Sequence, residues 1–328
     1  MTPVILLTGF LGSGKTTLLQ RLLTDPAMAG AAVLINEFGE VGLDHHLLDR
    51  IDDNVVLMKS GCICCTVRGE VADALMNLQS LRAKGEIGFD RVVIETTGLA
   101  DPYPVLQTLT AHPVLRSHFA SGGVLTTVDS VNAGAQMGHR AEAIRQIAAA
   151  DRIVLTKTDL AESDVVVELR QKLAQTNPTA AVVTGDATTE EILGGLRAGD
   201  IVQAAMPDEH GHHHHHHSVN EDLGVLTFSM TIDRPVDWTR FGVWLTLLLH
   251  RHGEKIFRVK GILALEGEAR PVAIHGVQHL VHAPVHMEHW PPGPHVSRLV
   301  FILEGIDPAL IRRSFAAFMG LAEERAVA

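Results

Sequence analysis

All three cysteines of the 328-residue chain fall within one five-residue stretch, Gly61-Cys62-Ile63-Cys64-Cys65. Thiolates clustered this tightly suit a soft or borderline ion, Zn2+, Cu+ or Co2+ in preference to Mg2+. The other chemistry open to them is thiol redox, whose usual spacing is C-x-x-C. In an extended segment Cys62 and Cys64 share a face and Cys65 points away. A turn, which Gly61 permits, brings the three sulfurs to one ion at roughly 2.3 Å. The fourth ligand must come from elsewhere, and Glu37, His45 and His46, in the glycine-broken stretch from Asn36 to His46, are the candidates. Of these, Glu37 is the one grouped with the cysteines.

A second motif, Gly9-Phe10-Leu11-Gly12-Ser13-Gly14-Lys15-Thr16, fits G-x-x-x-x-G-K-[ST] in full. Glycines let the backbone wrap a phosphate, and the N–H groups of the following helix supply partial positive charge. Gly12, Ser13, Gly14, Lys15, Thr16 and Thr17 are the residues expected around the nucleotide, with Lys15 at the β/γ-phosphates and Thr16 on Mg2+. Downstream, the hydrophobic run Val92-Val93-Ile94 ends in Glu95-Thr96-Thr97-Gly98. A carboxylate at that position suits holding Mg2+, the alternative for Glu95 being to position a water or a group behind the metal's ligands, and a following glycine N–H can sense the γ-phosphate. Lys15, Glu95 and Gly98 are therefore the candidate catalytic group. No glutamine is evidently placed to orient the attacking water, so slow hydrolysis is expected.

The base is read by Thr156-Lys157-Thr158-Asp159, where GTPases carry Asn-Lys-x-Asp. An aspartate there accepts two hydrogen bonds from guanine N1–H and its 2-amino group, which adenine does not offer. Thr156, Lys157 and Asp159 thus favour GTP, although Thr156 departs from the Asn pattern.

These motifs need a scaffold that brings strand ends together. Short apolar runs at Val4 to Leu7, Ala32 to Ile35, Val55 to Met58, Arg91 to Ile94, Gly123 to Val128, Arg152 to Leu155 and Ala181 to Val183 suit strands buried on both faces. Helical patterns at Lys15 to Leu23, Gly69 to Leu81, Ala141 to Ala149 and Asp164 to Ala174 lie between them. The alternation predicts a doubly wound α/β domain with a mostly parallel sheet over 1–205. A histidine-rich linker follows at 206–218, with six consecutive imidazoles, His212 to His217, able to chelate Zn2+ or Ni2+. Strands near Val225 to Ile232, Phe257 to Leu265, Pro271 to His275 and Val296 to Leu303, with helices near Asp237 to His250 and from Asp307, predict a smaller α+β, ferredoxin-like domain over 219–328. That domain is dense in histidine, with His275, His279, His282, His286, His289 and His295.

The formal charge of −11, one tyrosine and three tryptophans give neither a basic phosphate-tracking face nor a stacking platform, which argues against nucleic acid. The longest apolar stretch, Val243 to Leu249, falls short of the roughly 20 residues of a membrane helix. The N-terminus runs straight into the glycine loop without a signal-peptide pattern. The expected setting is the cytoplasm, where thiols stay reduced.

The order and spacing of Gly9 to Thr16, Asn36-Glu37-Phe38-Gly39-Glu40-Val41-Gly42, Gly61 to Cys65, Glu95 to Pro102 and Thr156 to Asp159 resemble the CobW-type metallochaperone GTPases. Arg258-Val259-Lys260-Gly261 and Gly276-Val277-Gln278 extend the resemblance to that family's C-terminal domain. The resemblance implies a GTP-dependent carrier that loads Zn2+, or next Co2+, into a client metalloprotein, with Cys62, Cys64 and Cys65 as ligands. A homodimer across the nucleotide face is compatible with the class. The competing readings are a zinc buffer with a vestigial nucleotide switch, a small-molecule kinase and a thiol redox protein.

Overall fold

A computed structural model describes residues 1–35, 56–59, 63–194, 196, 217–220 and 224–320. It divides into two compact units, Met1–Leu173 with Ala180–Arg197, and Ala174–Thr179 with Ala198–Ala328.

In the first unit, strands β1 (Thr2–Gly9), β2 (Ala31–Ile35), β3 (Val56–Lys59), β4 (Arg91–Glu95), β5 (Phe119–Asp129), β6 (Arg152–Thr156) and β7 (Ala181–Thr184) form one sheet in the order β3-β2-β4-β1-β5-β6-β7. Every pairing is parallel. All seven runs read as strands are here. Strand β5 starts earlier than its apolar run because Ser121-Gly122-Gly123, which looks like a turn, lies inside the strand. The register with β1 shifts between Val4 and Leu6, and Gly123 takes φ +101 with no room for a side chain against the Leu196 carbonyl at 2.9 Å. The glycines thus accommodate an irregularity instead of ending the strand.

Helices α1 (Lys15–Leu23) and α6 (Ala141–Ala149) have the expected bounds. Helix α2 runs Ile63–Ala83, beginning six residues before the expected Gly69 and taking Cys64 and Cys65 into its first turn. Helices α3 (Tyr103–Ala111), α4 (Leu115–His118), α5 (Ala133–His139), α7 (Ser163–Thr176) and α8 (Thr189–Leu193) complete the unit. One apolar cluster ties Ile5 and Leu7 of β1 to Leu18, Leu19, Leu22 and Leu23 of α1, with Val33, Val93, Leu125 and Val154 from the neighbouring strands. That packing anchors the helix whose N-terminus follows the glycine loop.

The second unit holds β8 (His217–Asn220), β9 (Val225–Ile232), α9 (Trp238–His252), β10 (Ile256–Leu263), β11 (Val272–Val277), β12 (Leu280–Val281), β13 (Val285–His286), β14 (Ser297–Glu304) and α10 (Pro308–Met319). Its sheet has the order β12-β11-β10-β14-β9-β8, with β13 also on β11, and its paired strands are antiparallel. Strand β14 enters between β9 and β10, which α9 connects, so the unit contains the split β-α-β of the ferredoxin-like plan. Phe241 and Trp244 of α9 and Phe315 of α10 pack onto Phe228 and Phe301 of the sheet. The Trp244 ring meets Phe315 edge-on at 5.0 Å. Asp237 and Asp307 accept hydrogen bonds from the first-turn N–H groups of Arg240 and Ala309, which sets where α9 and α10 begin. Of the segment read as a linker, residues 206–216 lie outside the described residues, while His217 and Ser218 open β8. No helix among the described residues is long and apolar enough to cross a membrane.

Candidate nucleotide and metal site

Strand register gathers the first site. Leu7 pairs with Glu95, Gly9 with Thr127, and Asp129 with Thr156, so the C-terminal ends of β4, β1, β5 and β6 meet around the glycine loop. Ligands of open α/β sheets bind at such a crevice, where the chain crosses from one side of β1 to the other. A cleft of about 400 Å3 opens there, lined among others by Gly12, Gly14, Lys15, Thr16, Thr17, Glu95, Gly98 and Lys157.

Gly14 takes φ +81 at the N-cap of α1, a left-handed conformation that suits glycine. The Lys15 ammonium donates to the carbonyls of Gly9 at 2.9 Å and Phe10 at 3.1 Å, which holds it at the loop. Thr16 Oγ1 donates to Glu95 Oε1 at 2.6 Å. A hydroxyl and a carboxylate brought together beside a phosphate loop are hard oxygen donors, the type Mg2+ prefers. Gly98 is buried, and a Cβ there would lie 2.6 Å from Leu11 N, so the loop after β4 runs directly against the glycine loop.

Ser13 is placed differently from a phosphate-facing side chain. Its hydroxyl turns inward to Thr127 Oγ1 at 2.7 Å, and its N–H donates to Phe10 O at 3.1 Å, so Ser13 shapes the loop. Thr17 is exposed on the first turn of α1.

At the end of β6, Thr156 Oγ1 donates to Ser13 O at 2.8 Å, fastening that strand to the glycine loop. This gives the departure from Asn a local role, since a threonine hydroxyl makes that bond from a strand end. Lys157 sits at φ +55 and donates to Asp129 Oδ2 at 2.7 Å. Asp159 is exposed.

Three residues of this region were not singled out from the sequence. Asp129, 1% exposed, accepts from Lys157, Asn132 Nδ2 at 2.8 Å and Val131 N at 2.9 Å. Burial pushes its carboxyl up, but the hydrogen bonds from Lys157, Asn132 and Val131 outweigh burial and hold it below the usual range. Thr127 carries the bond to Ser13. Gln146 reaches the loop after β4 from α6. An aspartate ending an apolar strand, as Asp129 does, was the available signal; nothing local marked Gln146.

Of the expected metal ligands, Glu37, the alternatives His45 and His46, and Cys62 lie outside the described residues, as do His212 to His216. Cys64 and Cys65 lie on helical backbone, where neighbours are about 100° apart, instead of the extended segment considered from the spacing. Among the described residues, no group of three or more His, Cys, Asp or Glu is gathered to hold an ion. In the second unit His275 and His282 stack at 4.5 Å, His279 Nδ1 bonds Leu249 O at 2.8 Å, and His295 stacks on Trp290 at 4.9 Å.

Residues 3–184 match the CobW/HypB/UreG nucleotide-binding domain, over half of the chain. The chain belongs to this family. Residues 225–319 match the cobalamin synthesis protein cobW C-terminal domain, so both halves of the CobW plan are represented. Among curated relatives, the zinc chaperone YjiA of Escherichia coli is 37% identical over 319 residues, spanning 95% of this chain and 97% of that protein. The zinc chaperone CobW of Pseudomonas aeruginosa is 30% identical over 311 residues, spanning 84% and 80%. The structure of Zn(II)-bound YjiA GTPase from E. coli superposes with a TM-score of 0.74 at 32% identity, covering 97% of this chain and 99% of that one.

Proposed function

We propose that this CobW-family chain is a GTP-hydrolysing zinc metallochaperone that binds Zn2+, or secondarily Co2+, through Cys62, Cys64, Cys65 and Glu37 and passes it to a client metalloprotein. The supporting observation is the convergence of the glycine loop, the Glu95–Gly98 segment and the Thr156–Lys157 loop on one cleft. Relatives that are zinc chaperones over nearly the whole length support the same reading.

In this reading Lys15 neutralises the β/γ-phosphates, Gly98 offers its N–H to the γ-phosphate, and Asp159 accepts from guanine. Thr16 and Glu95 would hold Mg2+, which would supply charge neutralisation at the phosphates. Loss of the γ-phosphate removes the group that the Gly98 N–H would meet, and with it the nucleotide's hold on metal affinity. The metal is cargo, and thiolate ligation couples its affinity to local order. The first unit carries the nucleotide, the histidine run gathers ions, and the second unit meets the client.

The test is a Zn2+ and Co2+ competition titration with a chromophoric chelator, in GDP and then in a non-hydrolysable GTP analogue. Replacing His212 to His216 with serine removes the chelating run and spares His217 in β8. Metal binding tighter by about tenfold or more with the analogue, abolished by Cys64→Ala, is the expected result. Equal affinities with both nucleotides reject the gated carrier and favour a buffer.

A further inference from the structure

Gln146 is 1% exposed, lies on α6 and does not line the nucleotide cleft. Its Nε2 nevertheless donates to Gly98 O at 3.2 Å and to Ala100 O at 3.0 Å. Both amide hydrogens are thus spent on two carbonyls of one loop, on either side of Leu99, which projects to solvent at 53% exposure. A single contact would fix only the loop's distance; two carbonyls two residues apart also fix its twist.

The glutamine is itself held. Thr126 Oγ1 of β5 donates to Gln146 O at 2.9 Å, and the next residue, Thr127, bonds Ser13 of the glycine loop. Gly98 is then confined between this amide and the backbone of Leu11, with no space for a Cβ. Glycine loop, β5, α6 and the loop after β4 therefore form a closed ring of contacts around the position assigned to γ-phosphate sensing.

We propose that Gln146 is a positioning residue for GTP hydrolysis, fixing the Gly98–Ala100 segment against the glycine loop so that its N–H meets the γ-phosphate. The proposal rests on the GTPase reading above. It assigns Gln146 a part in distinguishing GTP from GDP, because GDP has no group at the place Gly98 monitors. A buried glutamine that only satisfied two carbonyls would affect stability and bind both nucleotides alike.

The test uses the full chain with two substitutions. Gln146→Met keeps the volume and removes the amide; Gln146→Glu keeps the shape and removes both N–H donors. In each, the preference for a non-hydrolysable GTP analogue over GDP falls about tenfold and kcat falls about tenfold, while the GDP Kd stays within about twofold. If neither variant folds, Thr126→Val, which loosens the seat of Gln146, shows the same selective loss at smaller amplitude. Folded variants that keep wild-type kcat and discrimination, or that weaken both nucleotides equally, overturn the proposal. A wild-type chain that hydrolyses no GTP overturns the underlying reading instead, which separates the two failures.

Discussion

Thr16 and Glu95 are 79 residues apart in the chain and 2.6 Å apart in space. A hydroxyl that donates to a carboxylate survives Glu95→Gln as a neutral bond, but the charge assigned to Mg2+ does not. Glu95→Gln is therefore expected to keep GDP affinity within a few fold and to lower kcat by about two orders of magnitude, read as phosphate release. Asp129 supports Lys157 and gives a pH-dependent prediction. Its folded-state pKa lies below the unfolded value of about 3.9, so its contribution is fully present above that value and is lost as the pH falls through the lowered folded value. Asp129→Asn should cost about 1–3 kcal/mol at pH 7, and the gap in urea midpoints between variant and wild type should close on acidification below about pH 4. A gap that is independent of pH would assign the loss to packing.

At the scale of elements, the loop after β4 is packed directly against the glycine loop. Gly98→Ala brings a Cβ to 2.6 Å from Leu11 N and 2.7 Å from Leu11 Cα, both backbone atoms that cannot swing aside. The loop must withdraw, and the expected cost is about 1–3 kcal/mol of stability with a fall in kcat larger than any change in GDP affinity. Thermal melting and single-turnover hydrolysis measured on the same preparation check both parts. The elements themselves were largely legible, because a strand buried on both faces and a helix with one apolar face leave different periodicities. Two boundaries were not. Gly122-Gly123 in β5 carries turn chemistry yet lies within a strand whose register it shifts, and α2 begins at Ile63 across a cysteine pair that the spacing treated as metal-loop residues.

At the scale of the whole molecule, two units have separate cores. In the second, Trp244 is 1% exposed among Phe241, Phe301 and Phe315. Trp244→Ala should destabilise that unit by about 3–5 kcal/mol, seen as a lowered unfolding midpoint, while nucleotide affinity stays within about twofold. The amino-acid sequence alone determined the glycine loop of the nucleotide-binding domain, the clustering of all three cysteines, the Thr156–Asp159 motif and the α/β alternation. Each of these is written within a few consecutive residues, where spacing and residue type carry the physics. Only the tertiary structure decided that Thr16 meets Glu95, that Asp129 holds Lys157 and that Gln146 clasps Gly98 and Ala100. Those pairs depend on the register of parallel strands joined by crossovers, and chain separations of 28 to 79 residues leave no periodic trace of which side chains will face one another.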